Sequence, residues 1–165
     1  MADGFNFNKI SVLIVEDSNF MSQIMKTLLN RMGFGNIYQA SDGADALKIF
    51  KSTALDVILV DWEMPYLNGI DFVRMVRTST DSPNPYIPII MVSGYSELSR
   101  IVEARDAGVN EFIVKPISAS LVYSRLATII EKPRPYVHAK PFFGPCRRRK
   151  AMENFQGPDR RANAA

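Results

Sequence analysis

Five short apolar runs alternate with stretches of helical periodicity between residues 10 and 132, and that alternation restricts the chain to one class of fold. The runs are Ile10–Val15, Ile37–Ala40, Val57–Val60, Ile89–Val92 and Phe112–Val114. Short runs of nearly continuous hydrophobicity suit strands buried on both faces. Between them, Met21, Met25, Leu28, Leu29 and Met32 share one face of a helix that Gly33 stops. Ala46, Ile49 and Phe50 mark a second helix, Ile70, Val73 and Val76 a third, and Leu98, Ile101 and Ala104 a fourth, closed by Gly108. Val122, Leu126, Ile129 and Ile130 mark a fifth. A strand–helix order repeated five times predicts an α/β fold, with a parallel sheet, right-handed crossovers and helices on both faces.

For five such units the economical topology is the flavodoxin-like strand order 2-1-3-4-5, which makes strands one and three neighbours. The carboxyl ends of parallel strands share one edge, and ligands bind there. Four of the runs end on reactive groups: the first on Glu16-Asp17, the third on Asp61, the fourth on Ser93-Gly94, the fifth on Lys115-Pro116. Three carboxylates, a hydroxyl and an ammonium should therefore converge. Oxygen ligands such as these select Mg²⁺ or Mn²⁺ over a soft metal. Two like charges ~4 Å apart repel by roughly 4 kcal/mol at an effective dielectric of ~20. Lys115 offsets one of the three carboxylates, and a divalent cation would offset the other two. Such a site is suited to phosphoryl transfer, with Asp61 as nucleophile and Ser93 as a hydrogen-bonding partner of the transferred group. Each feature alone has a plain structural reading. Asp61 would cap a turn before Pro65, Asp17 or Ser18 would cap the first helix, and Lys115 would be a solvated strand end. It is their conjunction at one edge that points to chemistry.

Composition narrows the partners. No apolar run approaches the ~20 residues that cross a bilayer, and Met1-Ala2-Asp3-Gly4 lacks the start of a signal peptide. Cys146 is the single cysteine, which fits a reducing compartment. No membrane insertion and a cytoplasmic location are expected. The net charge of +3 is unevenly spread: residues 1–132 hold 12 Lys and Arg against 15 Asp and Glu, and residues 133–165 hold 8 against 2. With its globular part acidic, the chain is not expected to bind DNA.

The residues quoted above resemble a known family. Val12-Leu13-Ile14-Val15-Glu16-Asp17-Ser18, Asp61-Trp62-Glu63-Met64-Pro65 with Gly69, Val92-Ser93-Gly94, Ala107-Gly108 and Val114-Lys115-Pro116 are similar to the bacterial response-regulator receiver domain, in particular its stand-alone, chemotaxis-regulator-like type. The resemblance covers about residues 9–132 and implies two-component signalling. By it, Asp61 accepts phosphate from a sensor histidine kinase or a histidine phosphotransfer protein. Glu16, Asp17, Asp61 and the backbone carbonyl of Glu63 hold Mg²⁺ or Mn²⁺. Ser93 and Lys115 sense the phosphate, Pro116 follows a cis peptide bond, and Phe112 is the aromatic switch. The implied output is a downstream protein at the face of the fourth helix, fifth strand and fifth helix, with self-phosphorylation and self-dephosphorylation as the only chemistry.

Glu63, two residues after Asp61, and Tyr95, two after Ser93, are expected to crowd the hydrolytic water and lengthen the phosphate's lifetime. Trp62 is expected to be a partly exposed packing residue.

The chain divides into an N-terminal extension over 1–8, expected to fray, a receiver domain over 9–132, and a basic Pro-rich tail over 133–165, expected to be extended or disordered. The tail repeats Phe-x-Gly-Pro-x-Arg-Arg, at Phe142–Arg148 and Phe155–Arg161. The repeat suggests a tether that docks an acidic partner or folds back on the acidic domain. It is too short and Pro-rich for an output domain. His138 lies outside any helical bundle and is not a phospho-histidine candidate, and Cys146 is expected to be an exposed thiol.

Other readings of the same residues are a phosphate sink or shuttle, an aspartyl-phosphate phosphatase with Glu63 as acid/base, and a flavin carrier. Glu16-Asp17 would repel the flavin phosphate.

Overall fold

In a computed structural model of the protein, residues 4–139 and 142–147 are described. The second copy of the tail repeat lies outside them. Five parallel strands, β1 (Ser11–Val15), β2 (Asn36–Ala40), β3 (Val57–Asp61), β4 (Ile89–Ser93) and β5 (Glu111–Val114), form one sheet in the order β2-β1-β3-β4-β5. The helices between and after them are α1 (Asn19–Arg31), α2 (Gly43–Ser52), α3 (Gly69–Thr78), α4 (Leu98–Ala107) and α5 (Ala119–Glu131).

Because side chains alternate along a strand, each strand feeds two cores. Val12 and Ile14 of β1 pack with Met25 and Leu29 of α1 and Val122 and Leu126 of α5. Leu13 and Val15 pack on the other face with Phe50 of α2, Val73 and Val76 of α3 and Ala104 of α4. All side chains of β3 and β4 are buried, which is why those runs carry no polar alternation.

Three elements depart from the sequence expectations. The N-terminal extension does not fray at Phe7: its ring is 3% exposed and stacks on Phe34 with centroids 4.6 Å apart. Leu98 and Ile101 are exposed, although Ala104 and Ala107 on the same helix are buried. A strict three-residue spacing drifts by about 60° per step around a helix of 3.6 residues per turn, so the two leucine-like positions rotate out of the face that the alanines occupy.

The third departure concerns the tail. Tyr136–Ala139 and Phe142–Pro145 are extended, as expected, but they pair as an antiparallel ladder, β6 and β7. This hairpin folds back on the acidic domain. Arg147 reaches Asp106 at 3.0 Å while lying over the ring of Phe142. The hydroxyl of Tyr136 donates to the carbonyl of Tyr86 at 2.5 Å, and Arg134 donates to the carbonyls of Cys146 and Asn110. Cys146 is consequently half-buried.

Buried Arg77 joins the same region. Its guanidinium donates to the carbonyls of Gly108 (3.0 Å) and Pro85 (2.8 Å) and to the side-chain oxygen of Asn110 (3.0 Å). Desolvation pulls its pKa down to about 10, which leaves it charged at neutral pH. The three carbonyl-type acceptors are what make a buried guanidinium tolerable.

A side chain on Gly144 would place its first carbon 2.7 Å from the Cα of Gly108, against backbone that cannot yield. Gly144→Ala is therefore expected to undock the hairpin at a cost of about 1–3 kcal/mol. Faster amide exchange within β6 and β7, with protection of β1 and β3 unchanged, is the expected signature.

Candidate functional site

The carboxyl edge of the sheet gathers the groups that end β1, β3, β4 and β5. Asp61 is the last residue of β3 and its backbone is in register with Val92 of β4. The N–H of Trp62 continues that ladder to the carbonyl of Val92 at 2.9 Å. The N–H of Glu16 bonds the carbonyl of Ala40 (3.0 Å), and the N–H of Lys115 bonds that of Ser93 (2.8 Å). Parallel register thus fixes the start of each reactive side chain to well within a hydrogen-bond length.

The side chains then meet. Lys115 Nζ lies 2.9 Å from Asp61 Oδ1 and 3.3 Å from Glu16 Oε2. Both carboxylates are buried, Asp61 at 4% exposed and Glu16 at 2%. Carboxylate oxygens of Glu16, Asp17 and Asp61 all lie within 4.8 Å of one another. The plain structural readings do not account for them. Ser18 caps α1, its Oγ accepting the N–H of Met21 (3.3 Å), and leaves Asp17 exposed and free to face the cluster. Asp61 turns its buried carboxylate to Lys115 at 2.9 Å, and the helix after the Pro65 turn, α3, is capped by Asn68.

Burial first, and neighbouring charge second, shift the ionisation of these groups. Burial pushes the Asp61 carboxyl above the usual carboxylate range. Lys115 pulls against this, while the charges of Asp17 and Glu63 add to it. Burial likewise raises Glu16, against the N–H of Ser18 (3.0 Å), and the charge of Asp61 adds to the rise. Partial burial draws Lys115 down, but the hydrogen bonds and charges of Asp61 and Glu16 outweigh it, and its pKa ends above the ordinary lysine value. Three carboxylates facing one ammonium fit a divalent cation, and the all-oxygen donor set suits Mg²⁺ or Mn²⁺.

The remaining candidates surround this centre. Ser93 is buried and its Oγ accepts the N–H of Tyr95 at 3.1 Å. The Lys115–Pro116 peptide is cis. Phe112 is half-buried and meets Trp62 edge-on, centroids 6.4 Å apart. Glu63 keeps its side chain exposed, outside the carboxylate cluster. Trp62, expected to be partly exposed, is 5% exposed, because Phe112 and Arg100 cover it.

The loop after Asp61 closes tightly. A side chain on Gly69 would come 2.3 Å from the carbonyl oxygen of Asp61, and the N–H of Gly69 bonds the carbonyl of Trp62 at 2.9 Å.

Sequence reading missed Arg100. Its guanidinium carbon lies 4.8 Å from the ring centroids of both Trp62 and Tyr95. The only available signal was an arginine in the first turn of a helix, where the helix dipole disfavours a cation.

Residues 12–127 match the response regulator receiver domain family. The chain belongs to that family. Over 123 residues it is 37% identical to the chemotaxis protein CheY-3 of Vibrio cholerae, covering 74% of this chain and 93% of that protein. It is also 37% identical over 123 residues to the chemotaxis protein CheY of Pseudomonas aeruginosa, covering 74% of this chain and 98% of the relative. Among solved structures, Vibrio cholerae CheY4 superposes with a TM-score of 0.67 at 28% identity, covering 73% of this chain and 98% of that one. A receiver domain protein from Clostridium thermocellum gives 0.66 at 26% identity, covering 74% and 95%. The matched region ends before the hairpin at 136–145, so the docked tail lies outside it.

The raised pKa of Asp61 carries a stability consequence. With its folded value above its unfolded one, the folded protein favours the protonated carboxyl. That contribution is full below the ordinary carboxylate pKa and is lost as pH rises through the folded value. Asp61→Asn is therefore expected to stabilise the metal-free protein near neutral pH. In urea titrations the gain should shrink as pH falls toward 4, whereas a gain independent of pH would contradict the assignment.

Proposed function

We propose that the protein is a phosphorylation-controlled switch of two-component signalling. Asp61 takes a phosphoryl group from a sensor histidine kinase or a histidine phosphotransfer protein, and a downstream protein reads the result at the face of α4, β5 and α5. The observation that carries this reading is the placement of Lys115 between Asp61 and Glu16, at 2.9 and 3.3 Å, beside Asp17.

Glu16, Asp17, Asp61 and the backbone carbonyl of Glu63 would hold Mg²⁺ or Mn²⁺. Bound there, the cation supplies positive charge against the oxygens of the incoming phosphoryl group. Asp61 supplies the nucleophilic oxygen. Its burial excludes water from the attacking side. Lys115, held by two carboxylates, is oriented before the phosphoryl group arrives, so little reorganisation is needed. Once Asp61 is esterified it no longer offers Lys115 the same carboxylate, and the ammonium turns to a phosphoryl oxygen. Ser93 Oγ, now accepting the N–H of Tyr95, can donate its own proton to another phosphoryl oxygen. Its movement opens space beside Phe112, and the balance between two packings of α4 and β5 shifts.

Radiolabelled phosphotransfer from purified histidine kinases, with Mg²⁺ present, tests the reading. Wild type should be labelled and Asp61→Asn should not. Failure of every kinase and phosphotransfer protein of the host to label wild type would defeat it. Glu63, two residues after Asp61, and Tyr95, two after Ser93, are assigned to phosphate lifetime. Glu63→Asn combined with Tyr95→Ala should shorten the half-life of the phosphoprotein severalfold in Mg²⁺, and an unchanged half-life would remove both residues from that role.

A further inference from the structure

An open cavity of about 520 Å³ lies on the solvent side of the site, lined among others by Asp17, Trp62, Glu63, Asn68 and Arg100. Arg100 is the only cation on its wall among the described residues, and Lys115 does not line it. Lys115 is shared between Glu16 and Asp61. Arg100 is different: among the described residues no carboxylate pairs with it, and what holds it is Trp62 on one side and Tyr95 on the other, both 4.8 Å away. Cation–π attraction fixes a guanidinium without consuming its N–H donors. The result is a positioned cation with free donors, facing an opening whose other charged groups, Asp17 and Glu63, are both negative.

In-line geometry says what that opening receives. The attacking and leaving atoms lie on opposite sides of phosphorus. Asp61 is buried and attacks from the protein side, so the leaving group must sit on the solvent side. If the leaving group is an anion, Asp17 and Glu63 repel it and Arg100 is the residue that can hold it. We infer that Arg100 positions the leaving carboxylate of an acyl phosphate donor in the cavity lined by Asp17 and by Trp62 and Glu63, which follow Asp61 in the chain, and so selects the donor by the charge of its leaving group. This rests on Asp61 being the phosphoryl acceptor.

The step balances without a further reactant. An oxygen of Asp61 forms a bond to phosphorus, the bond from phosphorus to the acyl oxygen breaks, and the carboxylate departs with the electron pair. Arg100 pairs with that carboxylate in bidentate fashion. With phosphoramidate the bond that breaks is phosphorus to nitrogen, and the already protonated nitrogen leaves as neutral ammonia, which offers Arg100 nothing to hold.

The two donors separate a positioning role from mere support of α4. Phosphorylation of the full chain by acetyl phosphate and by phosphoramidate, with Mg²⁺, would be followed by the fluorescence of Trp62, the chain's one tryptophan, and by mass spectrometry. Arg100→Ala is expected to lower the second-order rate constant for acetyl phosphate about tenfold or more and to leave that for phosphoramidate within about twofold. Arg100→Lys should recover part of the acetyl phosphate rate, since it keeps the charge and loses the fork. Equal losses with both donors would mean that Arg100 only supports the helix, and no loss with either would mean that it does not touch the donor. Each result overturns the proposal. Phosphorylation of wild type by a kinase but by neither small donor overturns it as well, with Asp61 as acceptor left standing. Should no donor and no kinase label wild type, the acceptor reading itself fails and Arg100's role with it. Mg²⁺ titration of Trp62 fluorescence in each variant checks that the fold and the carboxylate site survive; if Arg100→Ala does not fold, the donor ratio of Arg100→Lys decides.

Discussion

A single ammonium group, that of Lys115, sits between two buried carboxylates that come from different strands. Asp61 ends β3 and Glu16 follows β1, while Lys115 follows β5, two strands away from β3 across β4. Without it, Asp61 and Glu16 would be buried side by side with no compensating charge, a burden of several kcal/mol. The pair can exist only because parallel register brings three separate strand ends to one level. Strand order, burial on both sheet faces and the charge arrangement at the edge are thus parts of one constraint. The constraint is not fully relaxed: burial still leaves Asp61 and Glu16 above their ordinary pKa values. Three carboxylates remain against one ammonium, a charge arrangement that suits a divalent cation.

This centre was legible in the sequence because its members are defined by local pattern. A buried strand must be apolar along its length, so the first charged residue after it marks the sheet edge, and a parallel topology brings those edges together. Asp61, Lys115 and the Glu16-Asp17 pair could be read that way. The tail was legible only in part: its basic charge pointed to folding back on the acidic domain, but the β6–β7 pairing left no signal. Its docking depends on contacts between distant residues, Gly144 with Gly108, Arg147 with Asp106 and Tyr136 with Tyr86, and none of these leaves a periodic trace. Prolines at 133, 135, 141 and 145 read as disorder, but Pro145 closes β7, an edge strand of the hairpin where one side of the backbone has no ladder to join. Phe7 was misread for the same reason. Two aromatics, Phe5 and Phe7, among polar residues are too few to set a period, and the partner Phe34 is far along the chain.

Helix α4 shows how the pieces combine. It buries only Ala104 and Ala107, and Glu97 at its start makes no side-chain cap. By contrast α3 buries Ile70, Phe72, Val73 and Val76 and is capped by Asn68. Buried apolar area is the main source of a helix's hold on a domain, so α4 is the less firmly held of the two. What it lacks in burial is supplied by arginines at its two ends. Arg100 ties the first turn to Trp62 and Tyr95. At the last turn, Asp106 receives Arg105 and Arg147, and Arg77 accepts the burden of the Gly108 carbonyl that closes the helix.

These fastenings differ from apolar packing in how they release. A buried leucine loses its burial gradually as a helix shifts, whereas an ion pair or a cation held on a ring depends on one geometry and on the charges around it. Arg100 lies on the wall of the cavity beside Asp17, and Arg147 lies at the far end of the helix, outside the region that matches the receiver family. Asp17 of the carboxylate cluster thus shares a cavity with one end of α4, and the tail contacts the other. Both the sheet edge and the tail contribute contacts that hold this helix. The tail is for this reason part of the energetics of α4 and not an appendage beside it.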